Sequence, residues 1–267
     1  MNKQKGKPHM QKLLLIISAL LISGSSFAGI TGSVGVDFSE NASDNIIATK
    51  DIDLNISSDV GFASIAVITN ASDQLVLDEY SLGVKHTNGS ISYGEQSDIF
   101  IGGGLEVVGA DTLANPSDAG ESIIGSWNKT TVRFKFTDTG TDITDFDTVQ
   151  LKHSIDVGKL ALSGAVDHTI DGNTNVYALS STVALNDDVS WTAIGTHDNS
   201  LTDKVAYESI ITTKGVSLFV NGDEGDWSQN VGAGYKTSWK SVDWYAEAGY
   251  NIDTKDVTPA AGMSVNF

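Results

Sequence analysis

From Ile30 to the last residue, almost every stretch of this chain alternates one apolar residue with one polar residue. A strict period of two is the signature of a β-strand whose two faces meet different surroundings. Ile30, Val34, Val36 and Phe38 share one face, while Thr31, Ser33, Gly35 and Asp37 share the other. Val132, Phe134 and Phe136 oppose Arg133 and Lys135; Val149, Leu151 and Ile155 oppose Gln150, Lys152 and Ser154. Sixteen such runs can be counted, the first over 30–39 and the last over 257–267. Their connections alternate in length. Tight turns such as Asn128-Lys129, Val157-Gly158 and Lys214-Gly215 follow the even runs, and longer polar or acidic links follow the odd ones. Such an up-and-down meander needs no crossovers. A soluble β-sandwich would alternate too, but its polar face would meet bulk water and carry many Lys and Glu residues. Here that face is rich in Gly, Ser and Thr with selected charges. There is no fixed-length repeat of the solenoid kind.

The first 28 residues break the pattern. Lys3, Lys5, Lys7 and Lys12 precede an apolar run over 13–22, and Ser26-Phe27-Ala28 supplies a small-x-Ala end. This is the layout of a secretory signal peptide over 1–28, leaving a mature domain over 29–267. The apolar run is short for a bilayer span of about 20 residues. A membrane anchor or a buried helix is the competing reading. The leader holds four of the 16 basic residues and none of the 34 acidic ones, so the mature chain carries a formal charge of −22. That charge argues against nucleic acid as a partner. Cysteine is absent, which excludes disulfides and thiolate metal sites. No other stretch is apolar enough for a membrane helix, but barrel strands show only alternation and each gives a weak hydropathy signal.

One segment, 97–121, has no alternation at all. A structureless stretch of that length inside a compact domain is usually functional. Its Gly102-Gly103-Gly104 allows sharp bending. Phe100, Ile101, Leu105, Val107 and Val108 can pack on a wall, which turns Asp98, Glu106, Asp111 and Asp118 toward open space. Aromatic residues sit near run ends, among them Trp127, Tyr177, Trp191, Tyr235, Trp239 and Tyr250, as in interfacial girdles. The last run places Pro259, Ala261, Met263, Val265 and Phe267 on one face and stops on the aromatic.

Taken together, the leader, the sixteen runs and this final strand resemble the general porins of Gram-negative bacteria. Ile91-Ser-Tyr-Gly-Glu-Gln96 is similar to the family's strand leading into a constriction loop, and Ser97-Asp-Ile-Phe100 and Glu106-Val-Val-Gly109 to the loop itself. The resemblance spans about 240 residues in arrangement and is loose in letters outside the loop and last strand. It implies an all-β transmembrane antiparallel barrel of about sixteen strands, with the 97–121 loop folded into the lumen. It also implies passive diffusion of small hydrophilic solutes and ions, contact with outer-membrane lipid and lipopolysaccharide, a homotrimer, and recognition of Phe267 by the barrel assembly machinery. In the family, acids on the loop face basic residues on the wall. Inward parity offers Lys85, Arg133, Lys135 and Lys152 as wall cations, Arg133 being the chain's only arginine. Lumen acids (Asp37, Asp51, Asp53, Asp167, Glu208, Asp243 and Glu247) outnumber them, so a cation-preferring pore is expected. Asp223, Glu224 and Asp226 read as a solvated loop tip, with divalent-cation bridging to lipopolysaccharide as the other reading.

Other chemistry finds little footing. No His pair has helical metal-site spacing, and neither a Gly-x-Ser-x-Gly elbow nor a phosphate-binding glycine loop occurs. No cofactor, metal or catalytic residue is expected. Three alternatives stand beside a general channel: one dedicated to a sugar or oligosaccharide, an outer-membrane barrel enzyme, and a secreted β-rich adhesin. A sugar channel should show a ladder of aromatics in its lumen, whereas inward parity yields mainly Ser, Thr, Gly and acids.

Overall fold

The computed structural model describes residues 27–40, 46–69, 74–101, 119–137, 146–199, 204–224 and 226–267. Among them are sixteen strands. The first eight are β1 (Phe27–Glu40), β2 (Ile46–Ser58), β3 (Gly61–Thr69), β4 (Leu75–His86), β5 (Gly89–Gln96), β6 (Gly120–Trp127), β7 (Thr130–Phe136) and β8 (Phe146–Val157). The others are β9 (Leu160–Thr169), β10 (Thr174–Ala184), β11 (Val189–Asp198), β12 (Lys204–Thr213), β13 (Val216–Asp223), β14 (Asp226–Trp239), β15 (Val242–Asn251) and β16 (Val257–Asn266). Each pairs antiparallel with its sequence neighbours, and β1 pairs with β16, so the sheet closes into a barrel. The sixteen expected runs each become a strand. β14 is longer than its run over 229–237, and β1 starts two residues ahead of Gly29, with a register irregularity between Phe27 and Gly29. No described helix is long and apolar enough to cross a membrane, which leaves crossing by strands open.

Alternation sets the two surfaces. On β10, Tyr177 and Leu179 are 45% and 63% exposed, while their neighbours Val176 and Ala178 are buried. Ile30, Val84, Ile91, Leu151 and Leu218 are likewise exposed on other strands. An apolar outer band of this extent has no place in water and suits hydrocarbon. The inner face carries cross-strand hydroxyl pairs: Ser64 with Ser81 at 2.6 Å, Ser154 with Ser163 at 2.8 Å, Thr182 with Thr192 at 2.9 Å and Thr212 with Ser217 at 3.0 Å. Closure is what lipid demands, since an open sheet edge would leave backbone groups unpaired. The β1–β16 seam runs in register from Ser33 opposite Asn266 to Ser39 opposite Ala260. Beyond it Phe267 N–H donates to Gly32 O at 2.9 Å, and Gly32 N–H donates to Phe267 O at 3.0 Å.

Aromatic groups mark both rims. At the tight-turn end the Trp127 ring stacks on His86 at 5.7 Å, and Lys240 Nζ lies 4.6 Å from the Trp239 ring centre. At the long-loop end Tyr177 stacks on His197 at 6.1 Å. The β12–β13 turn has both central residues at positive φ, Lys214 at 47° and Gly215 at 84°, the geometry of a type I′ hairpin. A Cβ on Gly215 would lie 2.3 Å from Lys236 O. Gly215→Val should therefore lower barrel stability by more than about 1 kcal/mol, read as a shifted urea midpoint in lipid vesicles.

Candidate functional site

The loop after β5 enters the lumen through a local turn. Asp98 Oδ1 accepts the Phe100 N–H at 2.8 Å, an Asx turn that bends the chain off the wall. Phe100 and Ile101 then bury against Ala165, Val176, Ala178, Ile194 and Ala206, inward residues of β9 to β12. Burying two such side chains contributes about 1.5–3 kcal/mol each. Backbone groups of the same segment are held from β8. Ile99 N–H donates to Gln150 Oε1 at 3.1 Å, and Lys152 Nζ donates to Phe100 O at 3.3 Å. The Ser97 hydroxyl donates to the Glu79 carboxylate.

Arg133 differs most from its expected place. It has inward parity but is fully buried, so it is a wall residue without a surface on the passage. Nη2 donates to Gln96 O at 2.7 Å and Gly120 O at 3.5 Å, Nε to Ser122 Oγ at 3.2 Å, and Nη1 to Gln150 Oε1 at 3.4 Å. Gln150 Nε2 in turn donates to Asp167 Oδ2 at 2.8 Å, and both residues are about 1% exposed. Of the other expected wall cations, Lys152 is bound to the loop backbone. Lys135 lies along Gly120, where an added Cβ would meet its Cε at 2.7 Å. Lys85 is exposed near the tight-turn rim, with Nζ 3.4 Å from Ser58 O and 5.9 Å from the Phe62 ring centre. Among the loop acids, Asp98 is placed at the turn just described. Glu106, Asp111 and Asp118 lie outside the described residues.

Sequence reasoning missed Gln150, a neutral residue with no motif around it. It also missed the apolar inner patch, although Val176, Ala178, Ile194 and Ala206 put apolar residues on both faces of adjacent strands. That double-sided character was the available signal.

The wall around the β1–β16 seam is acidic. Asp51 and Asp53 on β2 stand opposite Gly35 and Ser33 on β1. Together with Asp37, Asp243, Lys236 and Tyr245 they line a recess open to the lumen. Ser33 Oγ donates to Asp53 Oδ2 at 3.1 Å, Tyr245 OH to Asp37 Oδ1 at 2.9 Å, and Asn266 Nδ2 to Asp243 Oδ2 at 2.7 Å. Toward the long-loop ends of β13, β14 and β15 runs an amide ladder, Asn251 to Asn230 at 2.9 Å and Asn230 to Asn221 at 3.0 Å. Three inward rings lie flat over inward glycines: Phe62 over Gly83, Phe219 over Gly232 and Tyr245 over Gly262. No three His, Cys, Asp or Glu side chains among the described residues are grouped to hold a metal ion. His153, His168 and His197 occupy outer-face positions, and His153 Nδ1 is 2.8 Å from the Thr130 hydroxyl oxygen.

This geometry is that of a closed sixteen-stranded antiparallel barrel, and solved structures share the fold. A triple mutant of the Rhodopseudomonas blastica porin is 11% identical, with a TM-score of 0.60 over 90% of this chain and 99% of that one. Salmonella typhi OmpF, solved in complex with daunomycin, is 13% identical, with a TM-score of 0.59 over 90% and 97%. A loop L8 deletion mutant of OmpT, an outer membrane protein of Vibrio cholerae, is 14% identical, with a TM-score of 0.57 over 90% and 98%. At such identities the likeness shows the fold. No protein-family model and no curated protein matches the chain.

Proposed function

We propose that the protein is an outer-membrane porin, a water-filled channel for passive diffusion of small hydrophilic solutes and ions that prefers cations. The observation that carries this reading is the surface inversion. Large apolar side chains face outward around a closed barrel, and hydroxyls, amides and carboxylates face a lumen that a loop enters. Sixteen strands enclose an aqueous channel, whereas about eight would be filled by side chains. The outer-face positions of three of the mature chain's four histidines support a channel over a barrel enzyme working in the lumen. The flat-lying inner rings support a general channel over a sugar-specific ladder, which needs exposed ring faces.

The same reading makes 1–28 a cleaved leader and 29–267 the barrel domain. It makes the mature chain a homotrimer in contact with lipopolysaccharide, inserted by an assembly machinery that reads Phe267. Loop acids Asp98, Glu106, Asp111 and Asp118 would line the constriction.

Cation preference follows from how the wall charges are used. Arg133 is buried in a hydrogen-bond network within the wall, Lys152 donates to the Phe100 carbonyl, and Lys85 sits at a rim. Asp37, Asp51 and Asp53 face the passage together. Carboxylates along a narrow aqueous path set its potential. In a planar bilayer under a salt gradient, the reversal potential should report cations over anions. Asp37→Asn, Asp51→Asn and Asp53→Asn combined should reduce that ratio by about half or more, with unit conductance little changed. Anion preference in the parent protein would refute the selectivity, and a failure to form conductance steps would refute the channel.

A further inference from the structure

We propose that Arg133 is the positioning residue of the inward loop, pinning together the two points at which that loop leaves and rejoins the barrel wall. The inference rests on the channel reading and names what sets its bore. The β5–β6 ladder ends at the pair Gln96 and Gly120. Those two residues are the stems of the loop, and one guanidinium nitrogen, Nη2, donates to the carbonyl oxygens of both. The side chain thus acts as an extra rung after the backbone rungs have run out. Its other donors reach Ser122 on the returning stem and Gln150 on β8, and the same Gln150 oxygen accepts the Ile99 N–H two residues before the buried Ile101. The departing stem, the returning stem and the wall are all joined through one planar group.

Only arginine can do this. Five donors in a rigid fork serve carbonyls lying in different directions, whereas a lysine ammonium is a compact point charge on a flexible stem. Full burial also separates this role from that of a pore charge, since a cation meant to act on passing ions belongs at the water surface. Burying a guanidinium is tolerated only when its donors are satisfied. The chain's sole arginine is placed where the two stem carbonyls, the Ser122 hydroxyl and the Gln150 amide oxygen accept from it.

The test uses full-length protein in planar bilayers and vesicles. Arg133→Lys keeps the charge and loses the fork; Arg133→Gln loses both. If Arg133 positions the loop, both variants should raise unit conductance by roughly 1.5-fold or more and admit larger neutral sugars in vesicle swelling, with the heat-shifted gel band retained. A disulfide made by Gln96→Cys and Gly120→Cys in the Arg133→Lys background should bring conductance back toward the parent value on oxidation and release it on reduction. The absence of native cysteine makes that comparison clean. Three results would overturn the proposal. In one, Arg133→Lys matches the parent while Arg133→Gln changes ion selectivity alone, which is the behaviour of a pore charge. In another, conductance is unchanged in both variants. In the third, neither variant yields a folded barrel, which would make Arg133 a support of the wall itself. Absence of steps in the parent protein would instead defeat the channel reading.

Discussion

Replacing Leu179 by lysine should destabilise the folded barrel by about 2–4 kcal/mol, the cost of a cation at mid-depth on a lipid-facing strand. Leu179 lies at the middle of β10 and is 63% exposed on the outer surface. Three residues on, Thr182 points the other way and bonds Thr192 across the lumen wall at 2.9 Å. Thr182→Lys loses that one bond and keeps its ammonium in water, so its cost should stay near 1 kcal/mol. Urea unfolding of the two variants in vesicles measures the contrast. In a water-soluble protein the order would reverse, since an exposed lysine is harmless there. Equal costs for the two variants would show that the outer face does not meet hydrocarbon.

Removing Val265, Asn266 and Phe267 should abolish the closed barrel. The truncation deletes the two Phe267–Gly32 backbone bonds, the pairings of Val265 with Val34 and Val242, and the Asn266 bonds to Ser241 and Asp243. Half a dozen bonds at about 0.5–1.5 kcal/mol each approach the whole stability of an ordinary domain. The fraction showing a heat-shifted band after refolding into vesicles should drop at least about tenfold. Phe267→Ala is the control. It keeps every backbone bond and gives up a ring that is 63% exposed, so its cost should stay below about 1 kcal/mol. A far larger loss for Phe267→Ala in cells than in vesicles would point to recognition of that ring during assembly.

Strand positions and facing were legible in the sequence because a barrel wall imposes a period of two on every residue it contains. The alternation around Val132, Arg133 and Phe134 gave the correct parity. What parity cannot give is depth of burial. Arg133 is covered because Gln96 O and Gly120 O converge on it, and backbone carbonyls leave no mark on the identity of the residues that carry them. Gln150 was hidden because one of the groups it holds, the Ile99 N–H, belongs to the backbone. The docking of Phe100 and Ile101 was half legible. Their apolar character within a polar lumen predicted a wall contact, but locating that contact required noticing that Ala178 and Ile194 interrupt the polar face of their strands. Lys152 shows the limit of counting charges, since its ammonium is engaged by the Phe100 carbonyl.

The rings of Phe62, Phe219 and Tyr245 recline on bare backbone at Gly83, Gly232 and Gly262. A methyl group at any of those glycines would come within 2.3 Å of the ring above it and force it upright, toward the centre of the tube. Clearance inside the barrel is therefore governed in part by positions that have no side chain of their own. On the channel reading proposed above, the bore is set partly at those three glycines, whose replacement moves a lumen ring without replacing it.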